Sequence, residues 1–251
     1  VSRLLVTGAG GLVGAAVARS ARGAGLTVLA HDGRGDGDLL DGVQARRVVA
    51  DAAPDAIVHA AGCTHGDPGA LWRDNLLMVV RLLDAVAADA PGARVVLLGS
   101  AAEYGLTGPG VRLAEDAPCR PNSEYGMSKL AATRIAVADD RVRTCVARVF
   151  NIVSHPHPER SLLGRVERAY RAGHAHPDGS REVRDFIAIE DVARVLVALA
   201  TASSGPPVVN VCTGVPLTAA EQLGRESPDA SGGWSVGDPS LLQATVGRRE
   251  R

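Results

Sequence analysis

The 251-residue chain carries 27 Lys and Arg against 28 Asp and Glu, a net charge of −1 without a long basic run, which excludes a nucleic-acid footprint. Apolar residues make up 46% and aromatics only 3%, so the core is Ala, Val and Leu, a composition suited to helices on a parallel sheet, and no apolar run nears the ~20 residues of a membrane span. No signal-peptide pattern precedes the first strand, and Cys63, Cys119, Cys145 and Cys212 lack CxxC spacing, so the expectation is a cytoplasmic protein with reduced, structural cysteines.

The opening segment RLLVTGAGGLVGAAVARSARGAGLTVLAHD reads as a buried strand, a glycine turn, an Ala-rich helix and a second strand. A short helix then leads to the strand DAIVHAAG (55–62). The helix 70–90 precedes the strand ARVVLLGS (93–100), and a helix carrying Tyr125 precedes the strand RVRTCVARVFN (141–151). Strands alternating with helices imply βαβ units, hence an α/β fold with a doubly wound parallel sheet over residues 1–151. After Asn151 the texture loosens: VSHPHPERS and GHAHPDGSREVRDF are loop-like, and helical patterns occupy LLGRVERAYRAG and 189–202. A short strand VVNV follows, then a tail that stops soon after a turn. Residues 152–251 are expected to form a smaller substrate lobe, with some elements returning to the main sheet.

Two motifs carry chemistry. In VTGAGGLVG, Gly8, Gly11 and Gly14 form GxxGxxG between a strand and a helix, with Leu12 opening the helix. A pyrophosphate must approach that backbone and the helix N-terminus closely, and side chains there would block it. Asp32 ends the second strand, where a carboxylate binds the adenosine ribose hydroxyls, so the pattern predicts a Rossmann-type dinucleotide site. Asp32 favours NAD, and Arg34 would suit the 2′-phosphate of NADP. In NSEYGMSKLA, Tyr125 and Lys129 stand at i, i+4 on one helix face, where an ammonium beside a phenol lowers the phenol pKa and fits it for proton transfer.

GxxGxxG with YxxxK resembles the short-chain dehydrogenase/reductase superfamily, and the accompanying segments resemble its extended branch, the nucleotide-sugar epimerases, dehydratases and reductases. GDLLD (37–41) resembles the branch's GDxxD, which implies that Asp38, with Leu39 beside it, contacts the adenine. HAAG (59–62) resembles the strand end that lines the cofactor with Ala60, Ala61 and Gly62, and Asn75 matches the family's helix asparagine. GSAAEYG (99–105) resembles the segment with the catalytic Ser or Thr, here Ser100. ARVFNIVS and REVRDFIAIEDVA resemble the elements whose Asn151 and Arg184 contact the substrate's diphosphate.

The resemblance implies a catalytic set of Ser100, Tyr125 and Lys129, NAD or NADP as cofactor, a nucleotide-sugar substrate and a homodimer formed through the Asn75 and Tyr125 helices. Ala101 and Ala102 stand where the branch's dehydratases carry an Asp-Glu or Ser-Glu pair, and Glu103 is expected on a strand facing the opposite way, which argues against dehydration. GSAAEYG and the short Asp32–Asp38 region resemble 4-keto-6-deoxyhexose reductases, with a C4 epimerase as the alternative. The HxH pairs His155/His157 and His174/His176 lie in proline- or glycine-bearing loops without a carboxylate cluster, so no metal is expected. Trp72, Leu76 and Val80 mark a helix face for the core or an interface.

Overall fold

The computed structural model describes residues 1–33, 35–175, 177–226 and 233–247. The first half alternates as the hydrophobic pattern demands: β1 (Arg3–Thr7), α1 (Leu12–Gly23), β2 (Thr27–His31), α2 (Gly42–Ala52) and β3 (Ala56–His59). There follow α3 (Pro68–Trp72), a π-helical turn (Arg73–Leu77), α4 (Met78–Asp89) and β4 (Arg94–Ser100). A 3-10 turn (Ala101–Glu103), β5 (Arg112–Leu113), α5 (Glu124–Ala138), β6 (Arg143–Val149) and β7 (Asn151–Val153) complete it. The remainder is α6 (Leu162–Arg171), β8 (Val183–Ala188), α7 (Ile189–Thr201), β9 (Val208–Val211), β10 (Pro216–Thr218), α8 (Ala219–Gln222), β11 (Trp234–Gly237) and α9 (Ser240–Val246).

The main sheet is parallel, in the order β2-β1-β3-β4-β6-β9. Its strands alternate between two cores. Leu4, Val6, Val58 and Val96 pack with α1 and α7, whereas Leu5, Ile57, Val95 and Leu97 pack with α2 and α4. Helices on both faces make the sheet doubly wound, so the predicted Rossmann-type architecture is what the chain forms. β1 and β3 are neighbours, and the chain leaves β1 toward β2 but leaves β3 toward β4 on the other side, which opens a crevice at their carboxyl ends.

The small sheet centres on β8, which pairs antiparallel with β10, parallel with β11 and, at its far end, parallel with β7. The small sheet also takes a strand from before residue 151, and elements after it return to the main sheet as expected. β5, early in the chain, joins β11, while α7, β9 and α9 lie with the main sheet. The predicted turn-like tail contains the helix α9, because Leu242 completes the core against β9 and α7. Asp185, fully buried, fastens the two layers by accepting from the Thr213 N–H (2.8 Å), the Thr213 hydroxyl (2.7 Å) and the Gly214 N–H (2.7 Å).

Register also aligns Thr7 with His31 on one side and His59 on the other. Thr7 Oγ1 hydrogen-bonds His59 Nδ1 at 2.7 Å, and burial, reinforced by Lys129 and His31, holds the His59 imidazolium pKa down to about 3. A histidine neutral in the fold but charged when unfolded contributes stability above pH ~6.5 that is lost as pH falls toward the folded value. The melting temperature should therefore drop progressively between pH 6.5 and pH 4, and His59→Gln should flatten that dependence in a calorimetric pH series.

Candidate active site

The glycine turn follows from steric demands that no other residue meets. Gly8 has φ +67°, and a Cβ there would stand 2.6 Å from the Ala61 nitrogen of the HAAG segment. A Cβ at Gly14 would stand 2.1 Å from the Gly8 carbonyl oxygen, so helix α1 meets the turn only because position 14 is bare. Gly11 is the N-cap of α1 without a side-chain cap, which leaves the first N–H groups and the positive end of the dipole, about half a charge, facing the crevice. The Asp32 carboxylate lies against Gly10, within 3.4 Å of where a Cβ would be. The uncapped helix end, the bare backbone and the adjacent carboxylate fit a dinucleotide's pyrophosphate and ribose. Arg34, the candidate for a 2′-phosphate, lies outside the described residues.

Asp38 sits on the exposed loop that follows, where Oδ1 accepts the Leu40 N–H at 2.9 Å, and Leu39 is buried beside it. Asp41, the last residue of GDLLD, caps α2 through the Val43 and Gln44 N–H groups. Ala60, Ala61 and Gly62 line a cavity of about 160 Å³ together with Asn75, Ser100, Tyr125 and Lys129. Asn75, 1% exposed, is on the π-helical turn, a distortion often found at functional sites. Its Oδ1 accepts the Cys63 N–H (3.1 Å), and its Nδ2 donates to the Cys63 carbonyl (2.9 Å) and to Ser128 Oγ (3.1 Å). Asn75 therefore ties the β3 exit loop to helix α5.

Tyr125 sits in the first turn of α5, which Ser123 caps through the Gly126 N–H at 3.1 Å. A Cβ at Gly126 would lie 2.4 Å from the Ala102 carbonyl oxygen, so this glycine lets the helix close onto the end of β4 and brings Tyr125 to Ser100. Lys129 is buried one turn on. The electrostatics correct the expectation of a phenol lowered by its lysine. Burial pushes the Tyr125 phenol above its ordinary value, and Glu103 and Cys63 act in the same direction. The Ser100 hydroxyl pulls it back only in part. Burial likewise pushes the Lys129 ammonium down.

Glu103 also differs from expectation. It lies on the 3-10 turn rather than on a strand, fully buried. Its Oε1 accepts the Ser100 N–H (2.9 Å) and its Oε2 accepts from Arg148 Nε (2.8 Å). Arg148 Nη1 also donates to the Tyr104 hydroxyl (2.8 Å), which donates to Asn210 Oδ1 (2.8 Å). Removing one partner of a buried pair leaves an uncompensated charge, at a cost of about 3–5 kcal/mol.

Beside the Ser100–Tyr125 end lies a cavity of about 490 Å³ lined by both residues, by Ala101 and Ala102, and by Asn151, Arg165, Glu182 and Arg184. Asn151 donates through Nδ2 to the Asp185 carbonyl (3.0 Å), which fixes its side chain on β7. Arg184 pairs with Glu182, while its buried Nε has no partner among the described residues. Arg165, on α6, is the cavity-lining cation that sequence reading missed, because nothing in LLGRVERA marks which arginine turns inward. Trp72 is partly exposed and donates from Nε1 to Glu124 Oε2 (3.1 Å) rather than packing in the core.

The His155 and His157 rings lie 4.6 Å apart, while His176 is outside the described residues. Among the described residues no group of three or more His, Cys, Asp or Glu side chains is placed to hold a metal, and no helix is long and apolar enough to cross a membrane.

Residues 4–212 match the NAD dependent epimerase/dehydratase family. The chain is 36% identical over 176 residues to the dTDP-6-deoxy-L-talose 4-dehydrogenase (NAD(P)(+)) of Kitasatospora kifunensis, a match spanning 66% of this chain and 55% of that enzyme. It is 28% identical to the UDP-glucose 4-epimerase of Corynebacterium glutamicum, across 97% of this chain and 87% of the relative. Among solved structures it superposes on MoeE5 in complex with UDP-glucuronic acid and NAD, with a TM-score of 0.82 and 26% identity over all of this chain and 94% of that one. The chain thus belongs to the NAD dependent epimerase/dehydratase family of the extended short-chain dehydrogenase/reductase superfamily, a family of enzymes among whose matches the talose dehydrogenase is named for NAD(P)(+) and MoeE5 carries NAD.

Proposed function

We propose that this chain is an NAD(P)-dependent 4-ketoreductase of a nucleotide-linked 4-keto-deoxysugar. One observation sets dehydration aside, and the deoxysugar relative then favours reduction. Ser100 and Tyr125 line the larger cavity, while the next two positions are Ala101 and Ala102 and both oxygens of Glu103 are engaged. No free acid therefore follows Ser100 where elimination of water would need one, and Glu182, which also lines the cavity, is paired with Arg184.

Gly8, Gly11, Leu12, Gly14 and Asp32 would hold the cofactor, which when bound would supply the hydride. Tyr125 gives its proton to the carbonyl oxygen, a direction that suits a phenol held protonated by burial. Ser100 holds the same oxygen, and its own place is fixed by the Ala102 N–H, which donates to Ser100 Oγ at 3.2 Å. Lys129, one turn along α5, would hold the nicotinamide ribose of the bound cofactor. Asn151, Arg184 and Arg165 receive the diphosphate, for which the unpartnered Arg184 Nε is a ready donor. The dTDP-6-deoxy-L-talose 4-dehydrogenase supports chemistry at C4 of a deoxysugar. The UDP-glucose 4-epimerase match, running along 97% of this chain, favours a second reading, C4 epimerisation with retained NAD.

The test is to release bound nucleotide with acid, quantify it, then assay two sugars. Loss of one NADH or NADPH per dTDP-4-keto-6-deoxyhexose reduced supports the reductase. Near-stoichiometric NAD after purification, with UDP-glucose interconverted and no net nucleotide consumed, would replace it with the epimerase. The same reading takes the exposed Leu77, Met127 and Ile135 on the helices of Asn75 and Tyr125 as the contact between two copies, which light scattering would register as a dimer mass.

A further inference from the structure

We propose that Glu103, ion-paired to Arg148, is a positioning residue for the reaction: it fixes the backbone of Ser100 and sets the electrostatic field at the Tyr125 hydroxyl. The inference rests on the reading of Tyr125 as the proton-transfer group. Three independent features place the carboxylate there. Glu103 Oε1 accepts the Ser100 N–H at 2.9 Å while Ser100 Oγ accepts the Ala102 N–H at 3.2 Å, so the reactive serine is held from both its backbone and its hydroxyl. Position 99 is glycine, and a Cβ there would stand 2.7 Å from Glu103 Oε1, so the strand has left room for this carboxylate. Arg148, 5% exposed on β6, donates to the other oxygen at 2.8 Å and gives the fully buried carboxylate its ion-pair partner.

The charged and titratable groups around the pair come from every neighbouring element. They are Arg148 of β6, Tyr104 of the following turn, Glu115 and Cys119 of the segment before α5, and Arg134, Tyr125 and Lys129 of α5. Cys63 faces the last two from the loop after β3. Glu103 raises both the Tyr125 phenol and the Lys129 ammonium, whereas Arg148 acts on Glu103, Tyr104 and Cys119. A negative charge at this point favours the protonated phenol, the form that donates to a carbonyl oxygen. It also favours a charged Lys129 despite that residue's burial.

The experiment reads Tyr125 directly, without a substrate. The full chain is prepared with 13C at tyrosine Cζ and titrated by NMR, and Tyr125→Phe assigns its resonance among the three tyrosines. Glu103→Gln should lower the Tyr125 midpoint by about one pH unit or more. Glu103→Asp, which keeps the charge, should hold the wild-type midpoint while loosening Ser100. If Glu103→Gln fails to fold with Arg148 stranded, Glu103→Gln/Arg148→Met removes both charges and should shift the midpoint down by less, because the opposing guanidinium goes too. An unmoved midpoint in a folded charge-removing variant would overturn the proposal, and so would a shift in Glu103→Asp as large as in Glu103→Gln. Turnover by Tyr125→Phe separates the two levels. If that variant is inactive and the midpoint does not move, the field proposal fails alone; if it turns over normally, the reading of Tyr125 itself fails.

Discussion

Tyr125→Phe is expected to lower turnover by about 100-fold or more while leaving NAD(P) affinity nearly unchanged, the loss typical of a missing general acid. The ring stays: Phe fills the same volume in the first turn of α5, Gly126 still closes against Ala102, and the Ser123 cap does not involve the hydroxyl. What disappears is the O–H beside Ser100. The effect should therefore fall on kcat, with KM for the nucleotide held, in steady-state assays at saturating cofactor. Normal turnover by this variant would remove Tyr125 from the reaction.

Gly14→Ala is expected to weaken NAD binding by ~100-fold or more, because the closest contacts of the new methyl are backbone atoms rather than flexible side chains. Its carbon would sit 2.1 Å from the Gly8 oxygen and 2.7 Å from the Gly8 carbonyl carbon, so helix α1 would have to move away from the turn. That movement would pull the uncapped N-terminus of α1 off the pyrophosphate position. Calorimetric titration with NAD, alongside a melting curve, measures both consequences. Gly23, within the same helix, has nothing near where its Cβ would fall, so Gly23→Ala should leave both quantities close to wild type. Unaltered NAD affinity in Gly14→Ala would show that the turn does not carry the cofactor.

Much of this protein was legible from spacing alone, wherever the geometry is local. Glycines between a buried strand and a helix, an acid at the next strand end, and Tyr125 with Lys129 at i, i+4 keep their relation in any protein that folds those elements, because the strand period and the helical turn fix it. Other features required the tertiary structure. Glu103 on a strand would have faced away; in the fold it turns on a 3-10 segment and meets Arg148, 45 residues further along, whose strand lies beside β4. β5 joined β11 rather than the sheet of its sequence neighbours, and Arg165 rather than another arginine of α6 came to line the substrate cavity. The Tyr125 phenol was expected to be lowered by its helical partner, but packing decided otherwise: burial beneath β4 outweighs any charge that spacing alone reveals. Sequence thus determined the local chemistry and the architecture, whereas strand register and burial, which depend on contacts between distant segments, decided the electrostatics in which that chemistry acts.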